Sequence, residues 1–253
     1  MERNSADISL IDEALAEVIA SSAITSIDEV LAVLQGLDRV LPNWDGLKWF
    51  NLLYLKVTEG IRAQPPAEGW EDAHWLEQLD VDFAKLYLSA LAAWQRNPRE
   101  VSRSWSPLLK ARLRRNVMRV QFALAGMNAH INHDLQIALV QTGKRLHVTP
   151  RRGTPQYRDF ERVNTLLEVV EAEVKEYLAT GIIGEADEAL GQVDDTIAMW
   201  SVRKARDTAW TNAEILWHLR SLPIPSVGDD VLLTLDRLVG FGTQGLLIPI
   251  VFR

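Results

Sequence analysis

A chain of 253 residues, 47% of them apolar, has enough material to bury a substantial core in one large domain or two small ones. Its 34 acidic residues outnumber 27 basic ones to leave a formal charge of -7, which argues against a broad phosphate-neutralising surface and so against nucleic acid as a partner. With no cysteine, disulfides, thiolate nucleophiles and cysteine-held zinc or iron–sulfur centres are excluded.

The opening MERNSADISLIDEALAEVIA carries acids at positions 7, 12, 13 and 17 and no basic stretch leading into an apolar one, so it does not read as a signal peptide. No apolar run approaches the roughly 20 residues that cross a bilayer. A cytoplasmic protein without a membrane partner is the expectation. Helical periodicity then governs nearly the whole chain. A helix is expected from about Leu10 to Ser21. A second opens with Ser26 and Glu29 in capping-box spacing and closes at Pro42, and a third follows Asp45 until QPPAEG breaks it. DVDFAKLYLSALAAW predicts another helix, starting near Asp80. Ser106-Pro107 reads as an N-cap with proline at the first helical position, opening a run to about Thr142. So long a rod should break, with Arg115-Asn116 the expected place. TGKRLHVTPRRGTP is a non-helical connection. Helices follow over about Tyr157 to Thr180, Glu185 to Leu222 with an interruption near Gly191, and Asp230 to Val239. No repeat and no dividing linker is visible. The reading is one all-α domain spanning 1–253, a bundle of about eight to ten helices around a buried central one, with an extended C-terminal tail docked on it.

The central helix is VQFALAGMNAHINHDLQIALV. It is apolar on every face, as suits a helix enclosed by others, yet its middle, GMNAHINHDL, holds two histidines, two asparagines and an aspartate. Four residues apart, His130 and Asp134 share a face, with His133 about 60° to one side. Asn128 and Asn132 point roughly the other way. A buried polar group without a partner costs about 1–3 kcal/mol, so each must be satisfied. The asparagines fit a structural network, whereas groups able to exchange protons near neutrality mark His130, His133 and Asp134 as candidate catalytic residues.

These residues also resemble a family of bacterial proteins of unknown function, rich in actinobacterial members. The resemblance rests on the decamer, on a downstream pattern of Asp159, Phe160, Val163 and Asn164, and on a late one of Ala205, Arg206, Ala209 and Trp210, and it covers about residues 25 to 220. It implies a shared helical fold and a shared polar centre around His130 and Asp134, without an activity. Where such sequences often have proline after the decamer's leucine, this chain has Gln136, a difference that bears on local helix geometry.

Other motifs are weaker. His130 and Asp134 could hold a single divalent metal with help from His133, His147, Asp159 or Asp195, but the many histidines of polynuclear zinc sites are missing, as is the Glu-x-x-His of di-iron bundles. Aspartates at Asp80 and Asp194 lack the spacing of terpene-cyclase motifs. The helix around VDDTIAMWSVRKARDTAWTNAEILWHL places Trp210 in a core row and Arg206 among apolar neighbours, where its guanidinium needs a carboxylate such as Asp195 or Asp159, or a ligand anion. Nine tryptophans allow an aromatic-lined pocket. The expectation is therefore a cofactor-free enzyme of secondary metabolism acting on a small-molecule metabolite by cyclisation, isomerisation or hydrolysis. His130, His133 and Asp134 would do the chemistry, with Asn128, Asn164, Asp195, Arg206 and Trp210 around the substrate. A metal-dependent hydrolase and a non-catalytic helical binding or scaffold protein are the alternatives.

Overall fold

The computed structural model describes residues 5–20, 24–63, 65, 67–180, 201–220 and 226–250, with the side chains of residues 5 and 168–180 excepted. Within them the chain is all helix, without a strand. The first elements are α1 (Ser5–Ala20), α2 (Ile27–Val40), α3 (Leu47–Ala63), α4 (Ala73–Arg96) and the short α5 (Ser106–Ala111). Then come α6 (Arg119–Ala129), a π-helical turn (His130–Asp134), α7 (Leu135–Leu146) and α8 (Pro155–Thr180). The set closes with α9 (Val202–Leu219) and α10 (Ser226–Leu246). No described helix is long and apolar enough to cross a membrane.

Local chemistry sets most of the boundaries. Ser26 Oγ accepts from the Glu29 amide at 3.3 Å and Glu29 Oε2 accepts from the Ser26 amide at 3.1 Å, the reciprocal pair that starts α2. The fourth helix begins seven residues before the expected Asp80, because Asp72 Oδ1 caps the Trp75 amide at 3.0 Å and Trp75, Leu76 and Leu79 already face the core. Ser106 is the first residue of α5 rather than its cap. The expected break in the long run lies between Ala111 and Arg119, where Arg112 is drawn into the core to pair with Asp12 and with Asp45, the latter at 3.3 Å. The last helix outruns the expected Val239 by seven residues, which shortens the tail. Gln121 Nε2 fastens what remains by donating to the carbonyls of Leu246 at 2.8 Å and Ile248 at 2.6 Å. The expected interruption near Gly191 lies outside the described residues.

The rod formed by α6, the π turn and α7 runs through the middle, packed on α3, α4, α9 and α10. Gly126 lets α3 approach: a Cβ there would sit 2.3 Å from Phe50 Cγ. Two apolar clusters flank the rod. One gathers α1–α3, α4 from Val81 onward, α5 and α6, while the other gathers α7–α9 and the start of α4. Their seam falls at the π turn.

Candidate active site

The decamer does not continue as α-helix. Over His130–Asp134 the backbone widens by one residue, so that the Leu135 amide reaches back to the His130 carbonyl. Such a turn leaves carbonyls underused, and Gln136 serves them: its Nε2 donates to the carbonyls of Asn132 at 2.8 Å and His133 at 2.5 Å. Gln136 Oε1 in turn accepts from Asn212 on α9 at 3.2 Å. A widened turn at this place was not legible from residue spacing.

Asp134 is the hub. Its Oδ2 accepts from Trp105 Nε1 at 2.8 Å and from His130 Nδ1 at 3.1 Å, while Oδ1 accepts from His133 Nδ1 at 2.7 Å. Burial pushes this carboxyl upward, but the two histidine hydrogen bonds and charges outweigh it, and the net direction is down. Asp134 is therefore ionised. Burial likewise disfavours a charged His133, yet the hydrogen bond to Asp134 and the charges of Asp134 and Asp236 prevail and hold its pKa above the usual histidine value. Asp236 lies 3.6 Å from His133 Nε2 on the outer side. For His130 the balance reverses: burial dominates over the Asp134 hydrogen bond and lowers its pKa, so the ring is neutral at pH 7. Since Nδ1 donates to an ionised carboxylate, the partners assign the proton to Nδ1 and leave Nε2 as a bare acceptor. Phe83 stacks on this ring at 3.5 Å between centroids, with Tyr54 edge-on at 4.7 Å and Phe50 at 5.5 Å.

His130 Nε2 has no hydrogen-bond partner. It belongs to the lining of a cavity of about 80 Å³ at the seam of the two clusters, whose walls are otherwise mostly aliphatic and aromatic. Two further buried polar atoms without partners, Tyr54 Oη and Asp80 Oδ2, also belong to lining residues. Burial, with the charge of Glu77 adding to it, raises the Asp80 carboxyl to about 7. Tyr54 is raised too, by burial first and then by the charges of Asp80 and Asp134. The cavity thus collects a neutral imidazole with a free lone pair, a carboxyl that keeps its proton up to neutrality and a phenol. Asp82, two residues along α4, differs: it is tied to Thr142 Oγ1 at 2.7 Å and to Arg145.

The other sequence candidates divide. Arg206 lines the cavity; its Nε donates to Asn164 Oδ1 at 2.8 Å and a terminal nitrogen to the Phe160 carbonyl at 2.7 Å, with the guanidinium 4.0 Å above the Phe160 ring. The expected carboxylate partner is not Asp159, whose oxygens accept from the amides of Glu71 at 3.0 Å and Asp72 at 2.7 Å and so pin the start of α4 to α8. Asp195 lies outside the described residues. Burial pulls the Arg206 pKa down to about 9 against the opposing charge of Glu161. Trp210 is packed among Trp75, Tyr157 and Phe160 and donates to Glu214 at 3.2 Å, away from the cavity lining. Asn128 faces α10, donating to the Val239 carbonyl at 3.1 Å and Thr243 Oγ1 at 3.0 Å while accepting from Asn132 at 2.9 Å. Asp134 stands behind His130 rather than in the lining. Among the described residues no three histidine, aspartate or glutamate side chains are grouped so as to hold a metal ion.

The DUF5995 family, described only as a family of unknown function, matches residues 27–249. The chain belongs to this family. The match takes in every helix from α2 to α10, and with them the π turn and all the lining residues of the cavity. No curated protein and no solved structure matches the chain.

Proposed function

We propose that this member of the family is a small-molecule enzyme of the acid–base type, in which His130 Nε2 and the Asp80 carboxyl act on one substrate held in the apolar cavity. The observation that supports it is that three of the seven buried side-chain atoms without a hydrogen-bond partner among the described residues, Tyr54 Oη, Asp80 Oδ2 and His130 Nε2, come from lining residues of a single cavity. Leaving such atoms unsatisfied costs on the order of 1–3 kcal/mol each, a cost that stability alone would remove and that a bound polar group would repay.

The protonation states fit proton transfer in both directions. His130 takes a proton from a carbon next to a carbonyl onto Nε2, and the breaking C–H bond's electrons form the enol double bond. Asp80 passes its proton to the carbonyl oxygen. Return of the protons with a shifted double bond gives an isomer, and attack by the enol carbon on a second carbonyl carbon of the same molecule closes a ring: that C=O π pair moves to its oxygen, which takes the proton from His130, while the enol O–H proton returns to Asp80. Asp134 stabilises the imidazolium formed on the way, and Phe83, Phe50 and Tyr54 hold the ring in place and keep water out. Isomerisation or cyclisation suits so apolar a lining better than hydrolysis, and a cavity of about 80 Å³ takes a few heavy atoms, the reacting end of a substrate or a very small one. This chemistry needs no cofactor.

The test is deuterium incorporation in D₂O at the carbon beside the carbonyl of small ketones such as cyclopentanone, followed by proton NMR. Exchange above background in wild type that falls about 10²- to 10⁴-fold in His130→Gln is the expected result. Ketones that bind, by shift perturbation of cavity methyl groups, but exchange no faster than in buffer would leave a binding protein and end the enzyme reading.

A further inference from the structure

On the face formed by the 103–114 segment and α10 lies a groove of about 410 Å³ with a different chemistry. Arg103, Lys110, Arg114 and Arg237 line it, and no aspartate or glutamate does. Several other arginines of this acidic chain lie against carboxylates, as Arg62 does on Asp28, Arg152 on Asp207 and Arg158 on Glu71. None of the four groove cations has a carboxylate partner among the described residues. Cations gathered in a concave surface repel one another and raise the local concentration of anions, and the energy of that field is recovered when a multiply charged anion enters.

The groove is also already assembled. Asp236 accepts from the amides of Arg103 at 2.9 Å and Ser104 at 2.8 Å, clipping the segment to α10. Gly240 brings the walls together so closely that a Cβ would lie 2.5 Å from the Arg103 carbonyl oxygen. Ser106 and Gln244 add neutral hydrogen-bonding groups, and Phe241, 72% exposed, offers an apolar face beside them. We infer that this groove binds a phosphate-bearing ligand, its oxygens met by Arg103, Lys110, Arg114 and Arg237 and its apolar part lying on Phe241. A single carboxylate would leave most of the positive charge uncompensated, and a lone phosphate would fill little of the volume, so a diphosphate or phosphate ester fits best. Such a group belongs either to a soluble metabolite or to the headgroup of an anionic lipid.

Both sources are tested on the full chain by titration calorimetry with inorganic pyrophosphate and by co-sedimentation with phosphatidylcholine vesicles with and without phosphatidylglycerol. The variants are Arg114→Gln, Arg237→Gln and the pair together, with Arg99→Gln as an exposed control outside the groove. Pyrophosphate binding that weakens at least tenfold in the double variant and stays within twofold in Arg99→Gln is expected. Sedimentation that requires phosphatidylglycerol and is competed by pyrophosphate identifies a headgroup, while pyrophosphate binding without sedimentation identifies a soluble ligand. Failure of both probes to bind wild type overturns the inference. So does binding that the double variant leaves unchanged, or that Arg99→Gln weakens equally. All four proteins should show the same helical circular dichroism, since the altered side chains are exposed.

Discussion

His130 is set by the atoms behind its ring. Asp134 receives three donors, so truncating it strands Trp105 Nε1 and both imidazoles in a buried place. Asp134→Ala is expected to lower stability by about 3–5 kcal/mol in urea denaturation, whereas Asp134→Asn, which can still accept, should cost about 1–3 kcal/mol. Asp80 has the opposite character, a buried carboxyl raised from 3.8 to about 7 with one oxygen unpartnered. Between those two values the folded chain binds the proton that the unfolded chain has released, so its stability falls as pH rises through this window. Asp80→Asn, which stays neutral throughout, should therefore be more stable than wild type by a few kcal/mol at pH 8 and nearly equal to it at pH 4, as followed by thermal or urea melts at both pH values. The sequence pointed to His130, His133 and Asp134 because polar groups inside a helix that is apolar all round are visible along one line of residues. Asp80 and Tyr54 stand singly in helices whose pattern is ordinary. What distinguishes them is the lack of a partner, and that arises only when α3, α4 and the central rod are brought together.

At the scale of elements, the π turn and its neighbours decide where the decamer's groups point. Gln136 replaces in part the backbone partners that the turn removes, and Asn128 and Asn132 tie the same stretch to α10. Asn128→Leu should lower stability by about 1–3 kcal/mol and speed amide hydrogen exchange in α10, because its bonds to Val239 and Thr243 are lost together. Gly126→Ala should cost about 1–3 kcal/mol by driving Phe50 out of its place beside His130, and aromatic shifts of Phe50 would report it. Helix existence was legible throughout the described residues, since amphipathic spacing and caps such as Ser26 and Glu29 are local. Helix length was less so. The fourth helix begins early and the last ends late because Leu76 and Thr243 are covered by other parts of the chain, and the π turn follows from side-chain bonding that spacing does not encode.

For the whole molecule, the arrangement amounts to two apolar clusters meeting at a seam where a base and a neutral acid are left without protein partners. The proposed activity needs His130 without a second proton and Asp80 with its own. The first condition fails below a pKa lowered from 6.5 and the second fails above about 7, so the rate should pass through a maximum on the acid side of neutrality. Asp80→Asn should remove the alkaline limb while lowering the maximum. The seam was not visible in one dimension, because its lining comes from α3, α4, α6 with the π turn, α7, α8 and α9 in turn. The most direct measurement is a nitrogen-15 NMR spectrum of the imidazoles at pH 7 with and without a small ketone. The account requires His130 to be neutral, protonated on Nδ1, with an Nε2 resonance that moves when the ketone enters. A protonated His130, a proton on Nε2, or a resonance that ignores every ketone tried would contradict it.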